Sequence, residues 1–201
     1  MEHATSDDPL APGQAVSLLP VHGGRLVHGT VDTARGQDRV VRLAAGVATL
    51  LRDGAVWVMS RGDDESLQVH EAHLGTAGED RSRVELTDVR HLADERRRAH
   101  LRVAAQAPVL LVEPGRRSRG TTTIDLSTGG CRVALAYGQV LEPGQNVQVA
   151  LDIDAGSTVW ADGEVVRVDD ARHEAALRFT RLDPNDSERL ERRLLSSLSR
   201  P

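Results

Sequence analysis

A chain of 201 residues has room for one large domain or two small ones, and its 39% hydrophobic and 27% charged residues are ordinary for a globular protein. A formal net charge of −5 argues against a surface that coats DNA or RNA, and with aromatics at 2% the core has to be built from Val, Leu, Ala and Ile. The single cysteine, Cys131, excludes an intrachain disulfide and a thiolate metal cluster, and every basic side chain other than histidine is arginine.

Residues 1–14 are acidic and contain proline, with neither the basic nor the apolar part of a signal peptide, and are expected to form a disordered lead-in. No run approaches the roughly 18 consecutive apolar residues of a membrane span, so the chain reads as cytoplasmic, with no membrane insertion. From residue 15 onward short β-type runs alternate with Gly/Asp turns. Strands are expected at residues 15–21, 25–31, 39–43, 55–60, 66–70 and 83–89, with residues 48–51 running into the turn Arg52-Asp53-Gly54. Six short strands at this rhythm predict a small antiparallel sandwich or barrel over residues 15–91.

Residues 92–103 change character. They are densely charged, show no strand alternation before Leu101, and are expected as an interdomain linker. The β rhythm returns over residues 104–201, with strands expected at 109–112, 120–126, 131–134, 146–151, 158–168 and 173–179. Asp183-Pro184 then supplies an N-cap and a proline at the first helical position. Leu190, Leu194, Leu195 and Leu198 fall on one helical face, with Glu188 and Arg192 spaced for an i,i+4 pair, so an amphipathic helix is expected to cover one end of the second barrel. The fold class is therefore all-β: two small antiparallel β-barrels in tandem, with a C-terminal α-helix on the second.

Two short motifs carry chemistry. Arg98-Ala99-His100-Leu101-Arg102 is an R-x-x-x-R preceded by Arg96 and Arg97, and Asp125-Leu126-Ser127-Thr128-Gly129-Gly130 is a D-x-S-x-x-G. Either alone is weak in an arginine-rich chain. In this order, with strands between and a helix after, they resemble the PilZ domain, the family of bacterial cyclic di-GMP receptors, over roughly residues 94 to 200. The barrel before them resembles, in length and strand rhythm, the N-terminal domain of flagellar-brake receptors of the YcgR type.

The resemblance implies a ligand-binding, non-enzymatic protein whose ligand is cyclic di-GMP and which needs no cofactor. Its ligand-binding residues would be Arg97, Arg98, Arg102, Asp125, Ser127, Gly129 and Gly130. The residue types suit that ligand. An arginine fork matches guanine O6 and N7 with two parallel hydrogen bonds, and it also bridges to phosphate. A carboxylate accepts from guanine N1–H and N2–H₂, a pair that adenine does not offer. Ser127 adds a small hydroxyl, and Gly130 removes a side chain where a ligand would approach the backbone. A basic residue directly before the R-x-x-x-R is associated in this family with an intercalated pair of ligand molecules, a role that would fall to Arg97. The protein partner is unknown from sequence; the flagellar-brake resemblance implies motor components.

Other clusters carry less. Arg116, Arg117 and Arg119 read as an exposed hairpin turn, His70 and His73 lack a third metal ligand, and Trp57 and Trp160 are expected in the core or plugging a barrel end. No phosphate loop, nucleophile elbow or catalytic carboxylate pair occurs, so no catalytic residue and no metal site is assigned. Two alternatives stay open: a constitutive adaptor of the same family that no longer responds to nucleotide, and an RNA- or DNA-binding barrel. The second is disfavoured by the acidic charge and scarce aromatics.

Overall fold

The computed structural model describes residues 10–44, 46–51, 54–62, 65–77, 82–95, 100–113, 118–136, 138–154 and 156–199. They fall into two compact units, one of Met1–Ala99 with Leu198–Pro201 and the other of His100–Ser197.

In the first unit six antiparallel strands close into a barrel: β1 (Ala15–Pro20), β2 (Val27–Arg35), β3 (Asp38–Leu43), β4 (Gly54–Arg61), β5 (Leu67–Ala77) and β6 (Arg83–Glu95), in the order β1-β2-β3-β6-β5-β4. Closure leaves no free sheet edge. Period-two alternation sends Val16 and Leu18 of β1, Val41 and Leu43 of β3, and Val56 and Val58 of β4 into one core. Trp57, on the opposite face of β4, is buried as well.

Val47–Leu50 forms a single 3₁₀ turn. Two expectations for this unit change. Of the expected lead-in, residues 10–14 are described, and Leu10 lies in the barrel core. Arg39 Nε donates to Leu10 O (3.0 Å) and Gly13 N to Val31 O (2.8 Å), so these residues extend the barrel wall. The expected linker is strand as far as Glu95, because β5 and β6 form a long hairpin pairing Leu67 with Glu95.

The second unit contains β7 (Arg102–Ala104), β8 (Pro108–Val112), β9 (Arg119–Ser127), β10 (Gly130–Ala134), β11 (Asn146–Asp154), β12 (Ser157–Asp169), β13 (Glu174–Leu182) and the helix α1 (Pro184–Leu198). The sheet order is β10-β13-β12-β11-β8-β9-β7, and pairing of β10 with β9 closes six of these strands into a second barrel. The short β7 shares an edge of β9 with β8: β8 pairs with residues 119–122 and β7 with residues 125–127. The fold class is thus as expected, two closed six-stranded antiparallel barrels and a C-terminal helix.

The helix starts where the sequence places it. Asp183 Oδ1 accepts from Asn185 N (2.9 Å), Pro184 occupies the first helical position, and Leu190, Leu194 and Leu195 are buried. Glu188 and Arg192 pair at 3.4 Å. Trp160 departs from expectation: on the outer face of β12, it is 51% exposed. Among the described residues, no helix is long and apolar enough to cross a membrane.

Candidate functional site

The outer face of the second barrel carries a lattice of charge where β7, β9, β10 and β13 meet. Hairpin register sets it up. Ser127 faces Gly130 across the turn, so Asp125 faces Arg132, while on the other edge Arg102 faces Ser127 and Ala104 faces Asp125. Leu126, Cys131 and Val133 point into the core, which leaves Asp125 and Arg132 on the opposite face.

Arg132 joins two carboxylates. Its Nε donates to Asp125 Oδ2 at 2.9 Å and its Nη1 to Glu174 Oε2 at 3.0 Å. From the other side Arg102 Nη1 stands 3.5 Å from Asp125 Oδ1. That oxygen is buried and accepts no hydrogen bond. The Asp125 side chain is 13% exposed and Arg102 37%, so an immobilised acceptor sits beside a guanidinium that reaches solvent. Behind them the Cys131 thiol has its pKa pushed up to about 12, by burial first and the Asp125 charge second, with Arg102 acting against both. It is not a nucleophile near neutral pH.

The turn after β9 is held from within. Ser127 Oγ donates to Gly130 O (3.0 Å), and Gly129 O accepts from Phe179 N (3.0 Å). The two glycines have different reasons. A Cβ on Gly130 would lie 2.2 Å from the Leu177 carbonyl oxygen, so the missing side chain makes room for β13 of the barrel itself, not for an approaching ligand. A Cβ on Gly129 would lie 2.4 Å from Cδ2 of His100, whose Nδ1 pairs with Thr128 Oγ1 at 2.9 Å.

Of the residues singled out in the sequence, the structure brings Arg102, Asp125, Ser127, Gly129 and Gly130 together; Arg97 and Arg98 lie outside the described residues, as do Arg116 and Arg117. Arg119 belongs to β9 and lies 3.7 Å from buried Glu113. His70 and His91 pack edge to face with ring centroids 5.2 Å apart, and no three metal-ligating side chains converge among the described residues. Sequence reasoning missed Arg132, Glu174 and His100. Arg132 was within reach: in a hairpin turning at Thr128-Gly129, the partner of Asp125 is fixed by counting.

The family model described as PilZ domain matches residues 96–196. No curated protein matches the chain. Among solved structures the chain is similar to the inhibitor of motility MotI/DgrA of Bacillus subtilis, with 16% identity over 94% of this chain and 97% of that one and a TM-score of 0.45. It is similar to YcgR of Escherichia coli in complex with c-di-GMP, with 14% identity over 92% and 84% and a TM-score of 0.44. MrkH of K. pneumonia, as its c-di-GMP complex, matches with 12% identity over 92% and 87% and a TM-score of 0.43.

Proposed function

Because the chain belongs to the PilZ domain family, we propose that it is a cyclic di-GMP receptor, a binding protein and not an enzyme, that reads the nucleotide with Arg98, Arg102 and Asp125. The observation that carries this reading is the apposition of Arg102 with Asp125, whose Oδ1 is buried and without a hydrogen bond. A carboxylate fixed on a strand with an acceptor to spare suits the N1–H and N2–H₂ edge of guanine. A part-exposed guanidinium beside it suits phosphate or the O6/N7 edge. Ser127, Gly129 and Gly130 hold the turn that presents Asp125.

Arg97 supports binding of an intercalated ligand pair, because a second dinucleotide brings two more phosphate charges to the same segment. Residues 96–102 join the two units, so gripping the ligand there changes the freedom of one unit relative to the other. This acts as a signal only if the ligand binds the two arrangements with different affinity. The signal passes in the cytoplasm to a protein partner, for which the flagellar-brake resemblance of the sequence suggests motor machinery.

Calorimetric titration of the whole chain with cyclic di-GMP tests the reading. Binding is expected, with two nucleotides per chain for the intercalated pair, and with affinity lost in Arg98→Ala, Arg102→Ala and Asp125→Ala. Unchanged affinity in all three variants overturns it. One observation favours a second reading, a constitutive adaptor of the same family: Asp125 lies between two arginines of its own barrel. Absence of any heat or change in thermal stability on adding nucleotide selects that alternative.

A further inference from the structure

On the outer wall of the second barrel one row of residues runs straight across four strands. Gly120 of β9 pairs with Leu110 of β8, Leu110 with Ala150 of β11, and Ala150 with Trp160 of β12. Members of such a row share a face of the sheet at intervals of about 4.8 Å, so small and large side chains alternate. Leu110 and Trp160 are 37% and 51% exposed, whereas Ala150 between them is 7% exposed, the floor between two walls. They line a shallow cavity of about 510 Å³.

Gly120 has no local justification. Its φ is outside the left-handed region, and a Cβ there would meet nothing within 4 Å. A glycine inside a strand weakens it, and commonly marks a place where another chain comes close. Two carboxylates flank the row, one on each side, with the exposed Arg181 of β13 facing one of them, Asp162, across the strands. Asp152 lies two residues beyond Ala150 and Asp162 two residues beyond Trp160, on opposite sides of the row because β11 and β12 are antiparallel. That places them about 13 Å apart along the strands. The Asp162 carboxylate accepts a long bond from Gln148 (3.5 Å), and neither carboxylate forms an ion pair with an arginine among the described residues. The nearby Asp154 and Asp186 are held by Arg193 and Arg189.

We infer that this groove docks an amphipathic helix of a protein partner, laid along the row, with its apolar stripe over Gly120 and Ala150 and basic residues on both flanks against Asp152 and Asp162. The spacing selects a helix. The two notches are two strands apart, about 9.6 Å, and helix residues seven apart share a face at about 10.5 Å. Same-face residues of a strand recur about every 6.7 Å and miss the second notch. The α1 helix of a second copy has no stripe to offer, since Leu190, Leu194 and Leu195 are already buried. The groove lies five residues along β9 from Asp125, about 17 Å away, so a partner there leaves the nucleotide motif open.

The test is selection of helix-forming peptides from a random display library on the whole chain, without nucleotide. Enriched peptides are expected to carry an apolar i, i+7 stripe with Arg or Lys on both flanks. Their affinity is expected to fall about tenfold or more in Gly120→Val and in Trp160→Ser, and severalfold, with a shallower salt dependence, in the Asp152→Asn/Asp162→Asn double variant. All these side chains face outward, so circular dichroism should be unchanged. The inference is overturned if enriched peptides lack basic flanks, if nothing enriches over the Gly120→Val chain, or if sedimentation finds the chain pairing with itself through this face and Trp160→Ser makes it monomeric. None of these outcomes depends on whether cyclic di-GMP binds.

Discussion

Replacing Arg132 with alanine asks whether Asp125 is held in place by its cross-strand neighbour. Arg132 makes charge-assisted bonds of 2.9 Å to Asp125 and 3.0 Å to Glu174, with the three side chains 29%, 13% and 18% exposed. A hydrogen bond to a charged group contributes about 1.5–3 kcal/mol net. Discounting two of them for the share that water replaces gives a loss of about 2 kcal/mol for the second barrel. Urea unfolding should register this as a lower midpoint at unchanged m. In an Asp125→Asn background the same change should cost about 1 kcal/mol less, which a double-mutant cycle reads as the coupling between the pair. Binding should suffer as well. With Arg132 gone, Arg102, now 3.5 Å from Asp125 Oδ1, is the remaining cation at that carboxylate and is drawn across it. Cyclic di-GMP then has to displace a tighter pair, and its affinity is expected to fall about tenfold, or ~1.4 kcal/mol. A stability loss below about 0.5 kcal/mol with normal affinity would refute the claim that Arg132 positions Asp125.

The turn glycines should separate by what each would strike. Gly130→Ala runs into the Leu177 backbone and should cost about 3 kcal/mol in urea unfolding, whereas Gly129→Ala meets only the movable His100 ring and should cost under about 1 kcal/mol while shifting the His100 imidazole resonances. Glu191 has its pKa raised by burial and then by Glu188, so the folded chain holds that proton to higher pH than the unfolded chain does. Its contribution to stability is therefore fully present below the unfolded carboxylate range and is lost as pH rises through the folded pKa. Glu191→Gln should raise the melting temperature at pH 7 and flatten that decline. Native Cys131, with its pKa near 12, should react with iodoacetamide at pH 8 on the order of a thousandfold more slowly than the unfolded thiol; equal rates would mean the pocket around it is open.

What the sequence disclosed follows from where local signals are strong. Turn residues located nearly every strand of both barrels, because Gly and Asp at turns act locally, whatever the tertiary context. Strand ends were less legible. The β5–β6 hairpin runs to Glu95 through a stretch dense in charge, and a strand with one solvated side tolerates charges that read as a linker. Leu10 is one apolar residue in an acidic segment, with no periodicity to announce it, yet it is buried in the core. Trp160 was misplaced for the opposite reason: a large aromatic suggests a core, but alternation with Val159 and Ala161, both buried, sends it outward. For the candidate site, the motifs pointed to Asp125 and Arg102 but not to the groups that contact them. Arg132 and Glu174 come from β10 and β13, and their contact with Asp125 depends on barrel closure as well as on hairpin register.

That closure also bears on how a nucleotide would gain its affinity. One oxygen of Asp125 is fixed by Arg132 while the other is buried, facing Arg102 at a separation too long for a good hydrogen bond. Leaving a buried acceptor unmet costs about 1–3 kcal/mol, and the bond from Arg132 to the other oxygen holds Asp125 in that position. A guanine edge brings two donors to that acceptor, while phosphate offers Arg102 a stronger partner than the one it half-holds. On the proposed reading, binding would exchange this half-made pair for two satisfied ones. An adenine edge lacks the donors, takes Arg102 away from Asp125 all the same, and leaves the carboxylate with less than it had before.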